Sequence, residues 1–285
     1  MPRFRLAHLS DPHLGPLPRI PPLALASKRI FGAINWARNR GRAMAGEVLT
    51  ALLTDLAAQS PDHIVVTGDL TNIALDEEFK NARTFLERLG PPARVTAIPG
   101  NHDAYVPGAV QKAVAAWGAY VGGPFPTVHR REGIALIGVS SAIATLPLSA
   151  AGAVGARQRE ALAVALDRAD DAMKIVLIHH PPDRALAKGR RGLRDVEAVR
   201  QVLSEGCPDL ILHGHNHEFS TATLETARRP APILGVPSAS SGGQKHPPAG
   251  YGLLDIDVAS RTITLSRRTF DPDTGTVRGS ARTTL

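Results

Sequence analysis

A single cysteine, Cys207, stands in a chain of 285 residues. An intramolecular disulfide is therefore impossible, and nothing in the cysteine usage suggests export to an oxidising compartment. No activating pattern surrounds Cys207, so it reads as a small buried residue ahead of a strand over 209–213 rather than a reactive thiol. Aromatic residues are scarce at 4 %, so the core must rest on Ala, Val, Ile and Leu. That scarcity also argues against a base-stacking surface, and nucleic acid is not an expected partner. No apolar run approaches the roughly 20 residues of a membrane-spanning helix. Met1-Pro2-Arg3-Phe4-Arg5 leads straight into a strand with no apolar signal core. The expectation is a cytoplasmic protein, with peripheral contact to the inner face of a membrane as a further option.

What is present suits an α/β protein. The chain is 43 % hydrophobic, enough for one substantial core or two small ones. Its formal charge of +7 by itself favours anionic partners such as phosphates, nucleotides, nucleic acid or an acidic membrane surface. Short apolar runs alternate with helical patterns, which points to layered architecture. Strands are expected at 4–9, 63–67, 94–98, 134–139, 174–178, 210–213, 232–236, 251–258 and 262–270. Helices are expected at 46–59, 76–89, 108–120, 156–169 and 196–204, and the chain after Pro230 reads as strands only. With no internal repeat and no linker, the simplest organisation is one domain over 1–285. It carries a basic insert at about 16–45 and a strand-rich part at about 231–285.

Chemistry collects where the strands end. Asp11-Pro12-His13, Gly68-Asp69, Gly100-Asn101-His102-Asp103, His179-His180 and Gly214-His215-Asn216-His217 each follow an apolar run. Binding groups in α/β sheets gather outside the carboxyl ends of strands, so five such tips can converge on one cleft. Glycine before Asp69, Asn101 and His215 would let the backbone turn sharply and approach the site closely. Each motif alone has a duller explanation as a turn or polar loop. Jointly, oxygen and imidazole donors without cysteine suit two divalent ions such as Mn, Fe, Zn or Co.

In this order the motifs resemble the signature of the calcineurin-like metallophosphoesterase superfamily: D-x-H, G-D, G-N-H-[DE], H and G-H-x-H. The match spans about residues 4–217, and within the superfamily the chain looks most like bacterial cyclic-nucleotide phosphodiesterases and UDP-2,3-diacylglucosamine pyrophosphatases. The resemblance implies a four-layer αββα sandwich, with the strand-rich C-terminus in the second sheet. It implies one metal held by Asp11, His13, Asp69 and His217, and another held by Asp69, Asn101, His179 and His215. Asp69 would bridge them, which makes physical sense because two neighbouring dications repel unless an anion lies between. A metal-bound hydroxide would be the nucleophile. His102 would donate a proton to the leaving alkoxide or bind a phosphoryl oxygen, with Asp103 either orienting its imidazole or making a local loop hydrogen bond. His180 follows His179 and should turn to the opposite face, His8 inside the first strand reads as a satisfied core or rim residue, and His63, His129 and His246 have no ligand partners at useful spacing.

Two segments bear on substrate. Over 27–42, Ile30, Phe31, Ile34 and Ala37 recur at helical spacing with Lys28, Arg29, Arg38, Arg40 and Arg42 toward the ends. Such a stretch, with Phe31 and Trp36, could lie on an anionic membrane or grip a lipid. The favoured reading is a helix packing its apolar face on the domain with Arg in solvent. The second segment, Lys188 to Asp195, offers Arg190, Arg191 and Arg194 as forks for phosphate oxygens, with a solvated charge run as the equal alternative, and Asp195 as a helix cap. The function expected is hydrolysis of a phosphodiester or pyrophosphate in a small nucleotide-like or lipid-linked substrate. A phosphomonoesterase or protein phosphatase is the alternative, and a non-catalytic scaffold of the same fold ranks below both.

Overall fold

The computed structural model describes residues 3–40, 46–244 and 246–285, the side chains of 39 and 40 excepted. The basic end of the insert, including Arg42 and the side chain of Arg40, lies outside the described residues.

Two mixed sheets face one another. The first contains β1 (Arg3–Leu9), β2 (His63–Val66), β3 (Val95–Ala97), β10 (Gly250–Asp257), β11 (Thr262–Asp271) and β12 (Thr276–Gly279), in the order β12-β11-β10-β1-β2-β3. A short β13 (Thr283–Thr284) also pairs with β11. The second contains β4 (Thr127–Arg131), β5 (Ile134–Val139), β6 (Met173–Ile178), β7 (Leu210–His213), β8 (Ser220–Leu224) and β9 (Ala231–Gly235), in the order β4-β5-β6-β7-β9-β8. Helices α2 (Gly46–Ala58), α3 (Asp76–Leu89) and α4 (Ala109–Trp117) cover the first sheet. Helices α5 (Ala156–Arg168) and α6 (Val196–Gly206) cover the second. A short α1 (Arg29–Asn35) belongs to the insert.

Strand alternation builds these layers. In β1, Phe4 and Leu6 point between the sheets, whereas Ala7 and Leu9 point toward the helices. In β6, Met173, Ile175 and Leu177 face the inter-sheet core, and Val176 and Ile178 face α5 and α6. Strands buried on both faces read as unbroken apolar runs, and for that reason they were legible. The four strands not foreseen, β4, β8, β12 and β13, are short and polar on one or both faces.

One expectation needs correction. The C-terminal strands do not form the second sheet: β10 pairs antiparallel with β1, and β11 to β13 extend that first sheet. Only β9 of that region joins the second, parallel to β7. The reason is that β1 has one free edge after pairing with β2, and β10 fills it over six registered pairs, from Arg3–Asp257 to His8–Gly252.

Two parallel sets, β1-β2-β3 and β5-β6-β7-β9, therefore bring their carboxyl ends to one side of the sandwich. A parallel bridge between Ser10 and Ser238 ties β1 to the segment after β9 there. Ala239 N donates to Ser10 O at 2.9 Å, and Ser238 Oγ donates to the Asp11 carbonyl at 2.7 Å.

Candidate metal centre

Asp11, His13, Asp69, Asn101, His179, His215 and His217 all meet at this edge, and all seven are buried. On one side, His217 Nε2 lies 3.2 Å from Asp11 Oδ1, and His13 Nε2 lies 3.2 Å from His217 Nε2. On the other, His179 Nε2 lies 3.1 Å from Asn101 Oδ1, and His215 Nδ1 lies 2.9 Å from the same oxygen. Asp69 Oδ2 stands between the two groups, 3.8 Å from His13 Nε2 and 3.5 Å from His179 Nε2.

The surrounding backbone sets the imidazoles. His13 Nδ1 sits 3.2 Å from the Thr71 carbonyl and His179 Nδ1 sits 2.7 Å from the Thr67 carbonyl. Each carbonyl takes the Nδ1–H, so that Nε2 is the nitrogen turned inward, where it can hold a proton or, once deprotonated, a cation. His13 Nε2 and His217 Nε2, 3.2 Å apart, are compatible only with a proton or a cation between them. Asp11 Oδ1, fully buried, has no hydrogen-bond partner. Such an arrangement fits divalent ions, and the described residues contain four groups of three His or Asp whose ligand atoms lie within 4.8 Å of one another.

Electrostatics reinforces the fit. Burial disfavours charge on both Asp69 and His179, but each outweighs that for the other. The imidazolium side holds Asp69 well below the usual carboxylate range, and Asp69 raises His179 to about 9. Burial, aided by His180 and His179, pushes His215 well down, so that ring is neutral and able to bind a cation.

Local geometry is strained where the donors sit. Asp11 (φ 51°), His13 (39°), Asp69 (55°), His215 (71°) and His217 (58°) all have left-handed backbones. Non-glycine residues occupy that region at a cost of order 1–3 kcal/mol and do so chiefly at functional sites. Gly100 has a different reason: a Cβ there would stand 2.5 Å from Asp69 N and closer still to Asp69 Oδ1. The glycine lets the Asn101 loop rest directly on the central carboxylate, and His102 N donates to Asp69 Oδ1 at 2.7 Å.

His102 lies at the mouth, its ring edge-on to His13 with centroids 4.8 Å apart. Its Nδ1 is 2.6 Å from the carbonyl of Asn72, and this contact, rather than Asp103, orients the imidazole. Asp103 is fully buried and accepts from Gly100 N, Thr71 N and Thr71 Oγ1 at 2.8–2.9 Å. Burial and then Asp69 push its carboxyl up to about 7. Its placement clamps the loops carrying Asp69 and Asn101 to each other.

Glu78 was not foreseen. Its carboxylate accepts from Asn72 N, Ile73 N and Leu75 N at 2.7–3.2 Å and so fixes the loop whose Asn72 carbonyl holds His102. The sequence signal was faint: a glutamate three residues after Leu75, where α3 begins. Tyr105 also escaped notice; its ring stacks on His102 at 5.6 Å and 23°.

His180 does not turn to the opposite face. The chain leaves the extended form after β6, and the His180 ring lies 4.5 Å from that of His215. Both of its nitrogens go to protein, Nδ1 to Ser141 Oγ at 2.7 Å and Nε2 to Ala150 O at 3.0 Å. His8 is buried against Thr67 Oγ1 and His63 against Thr96 Oγ1. His246 is closer than expected, its ring 5.5 Å from His217. Of the three arginines, Arg191 reaches the site, its guanidinium donating to the His215 carbonyl at 3.3 Å. Arg190 and Arg194 are exposed and engage neighbouring loops through their backbones. Asp195 precedes α6 without capping it, because its carboxylate takes the amides of Val154 and Gly155 and the guanidinium of Arg159 instead.

The model of calcineurin-like phosphoesterases matches residues 4–219. The chain belongs to that family. Among curated relatives, a probable cyclic nucleotide phosphodiesterase of Synechococcus sp. is 26 % identical over 211 residues, covering 73 % of this chain and 76 % of that protein. A glycerophosphodiester phosphodiesterase of Enterobacter lignolyticus is 34 % identical over 98 residues, which cover 34 % of this chain and 29 % of the relative. In structure, this phosphoesterase superposes on a dimetal phosphatase of Danio rerio with a TM-score of 0.63 at 13 % identity, over 97 % and 98 % of the two chains. A purple acid phosphatase from yellow lupin gives 0.63 at 11 % identity, over 99 % of this chain and 53 % of that one. At such identities the structural likeness establishes the fold, a metallophosphoesterase sandwich with helices outside two sheets.

Proposed function

We propose that this phosphoesterase hydrolyses a phosphodiester or pyrophosphate bond at a dinuclear centre, in a nucleotide-like or lipid-linked substrate. The observation that carries the reading is Asp69 Oδ2 standing between two imidazole-rich donor sets. Asp11, His13, Asp69 and His217 would hold one ion, and Asp69, Asn101, His179 and His215 the other. When bound, divalent ions activate water and neutralise phosphoryl charge.

The chain's own residues do the rest. The carbonyls of Thr67 and Thr71 take the Nδ1 protons of His179 and His13 and so aim Nε2 of each ring at the site. His102, fixed at Nδ1 by Asn72, presents its other nitrogen to the leaving oxygen and would hold the proton delivered there. Arg191, beside His215, would meet a phosphoryl or distal anionic group. The diester preference is supported by the phosphodiesterase names of the two sequence relatives.

A screen of Mn²⁺-loaded protein tests this reading, with bis-p-nitrophenyl phosphate, p-nitrophenyl phosphate, cyclic AMP and a UDP-linked glycolipid. Expected is turnover of a diester or pyrophosphate above the monoester, lost in Asp69→Ala. Preference for the monoester would replace the proposal with a phosphomonoesterase. No turnover by protein with verified metal content would point to a binding scaffold.

A further inference from the structure

The insert packs opposite to the favoured expectation. Over 29–36 the half-buried positions are Arg29, Gly32, Ala33 and Trp36, not the apolar stripe of Ile30, Phe31 and Ile34. Arg29 donates Nε to the Ile73 carbonyl at 2.9 Å and Nη2 to the Ala74 carbonyl at 2.6 Å. Gly32 sits so close to Ile73 and Tyr105 that a Cβ would come 2.8 Å from the Tyr105 hydroxyl, and Trp36 packs on Gly15. Ile30, Phe31 and Ile34 therefore face solvent, 40 %, 50 % and 44 % exposed.

A second segment joins them. Lys28, at the start of α1, donates to Thr145 Oγ1 at 2.8 Å and lies 4.6 Å above the Tyr105 ring. The 145–149 loop that it holds projects Leu146 and Leu148, 80 % and 78 % exposed, and Leu23 ahead of α1 is 89 % exposed. These six account for all but three of the exposed large apolar side chains among the described residues. The 188–191 segment adjoins the same loop, since Ala150 N donates to the Arg190 carbonyl at 2.8 Å. Residues 14–40, 140–153 and 188–194 together contain nine Lys or Arg and no Asp or Glu.

We propose that this rim is a membrane-docking surface that seats the mouth of the metal centre on an anionic lipid bilayer. Leu23, Phe31, Leu146 and their neighbours would enter the boundary of headgroups and acyl chains, with arginines and lysines at lipid phosphates. Charge argues against a second copy of this chain as the occupant, because the three segments hold no carboxylate to pair with the cations of a facing copy. The six side chains are 40–89 % exposed and come from three successive segments, 23, 30–34 and 146–148, an apolar spread ringed by basic residues that matches a bilayer interface. Tyr105 links rim and site physically, touching Gly32 on one side and stacking on His102 on the other. The inference deepens the proposed function by favouring lipid-linked phosphoesters, and it rests on that reading only for what is cleaved.

Flotation with phosphatidylcholine vesicles, with and without phosphatidylglycerol, tests docking independently of turnover. The full chain should float with anionic vesicles, and Phe31→Ser/Leu146→Ser should weaken this roughly tenfold or more, since two buried side chains are lost. Turnover of soluble bis-p-nitrophenyl phosphate should be unchanged in the variant. Absence of flotation, equal flotation with neutral vesicles, or unaltered flotation of the variant would each overturn the proposal. So would a concentration-dependent dimer that the double substitution dissolves. Flotation without any phosphoester turnover would leave docking standing and remove the proposed function; turnover without flotation would do the reverse.

Discussion

Replacing Gly100 with alanine should empty the metal centre while leaving the sandwich folded. The added Cβ would lie 2.5 Å from Asp69 N and nearer to its carboxylate, where real Cβ contacts stay beyond 3.0 Å. Either the Asn101 loop or Asp69 must then move by about 0.5 Å or more, against a tolerance near ±0.2 Å for metal–ligand distances. Neither neighbour is a flexible side-chain tip, because Asp103 clamps Gly100 N and Thr71 N at once. Overpacking of this kind costs about 1–3 kcal/mol in stability, and a displaced ligand set costs on the order of 10²-fold in rate. Gly46→Ala is the control, since none of the described residues lies within 4 Å of a Cβ there. Metal content by mass spectrometry, thermal melting and diester turnover would be read side by side. Wild-type metal content and turnover in Gly100→Ala would refute the argument that this close approach positions Asp69.

Three further outcomes are expected. His102→Ala should retain metal yet lose about 10²-fold or more in kcat, within the range of general acid catalysis; loss of metal in parallel would make the residue a ligand instead. Glu78→Ala should lower stability by roughly 1–3 kcal/mol per stranded amide and also reduce kcat, because Asn72 no longer holds His102; an unchanged melt would contradict the buried cradle. Burial, with Arg131, His129 and Arg94 nearby, holds His63 at about 3 against 6.5 in the unfolded chain. Between those values the unfolded state binds the extra proton, so stability is complete above pH 6.5 and falls as pH drops. The slope is about 1.4 kcal/mol per pH unit. Urea melts of His63→Gln should be flatter by that amount from pH 6.5 to 4, and parallel slopes would count against a buried neutral ring.

Much of the fold was legible because strands buried on both faces leave continuous apolar runs, as in Ile134–Val139 and Lys174–Ile178. Edge strands such as Thr127–Arg131 left no such trace, since half their side chains meet water. The donor residues were legible because each sits within a few residues of its own strand, a local relation. The partner of His102 was not: Asp103 is its neighbour in the chain, but Asn72 is its neighbour in space.

By itself, then, the sequence determined which donor groups exist and that strand ends would present them. Tertiary structure alone decided how they meet. His13 and His217, 204 residues apart, face each other because the two sheets pack with their strand ends on one side, where Ser238 holds the Asp11 carbonyl. It also decided the sidedness of α1. A hydrophobic stripe ordinarily turns inward, but here the Ile73 and Ala74 carbonyls are open acceptors that a guanidinium can satisfy and an isoleucine cannot. Arg29 accordingly faces the protein and Phe31 faces out, because an unsatisfied backbone carbonyl is a position-specific demand that composition and periodicity do not carry.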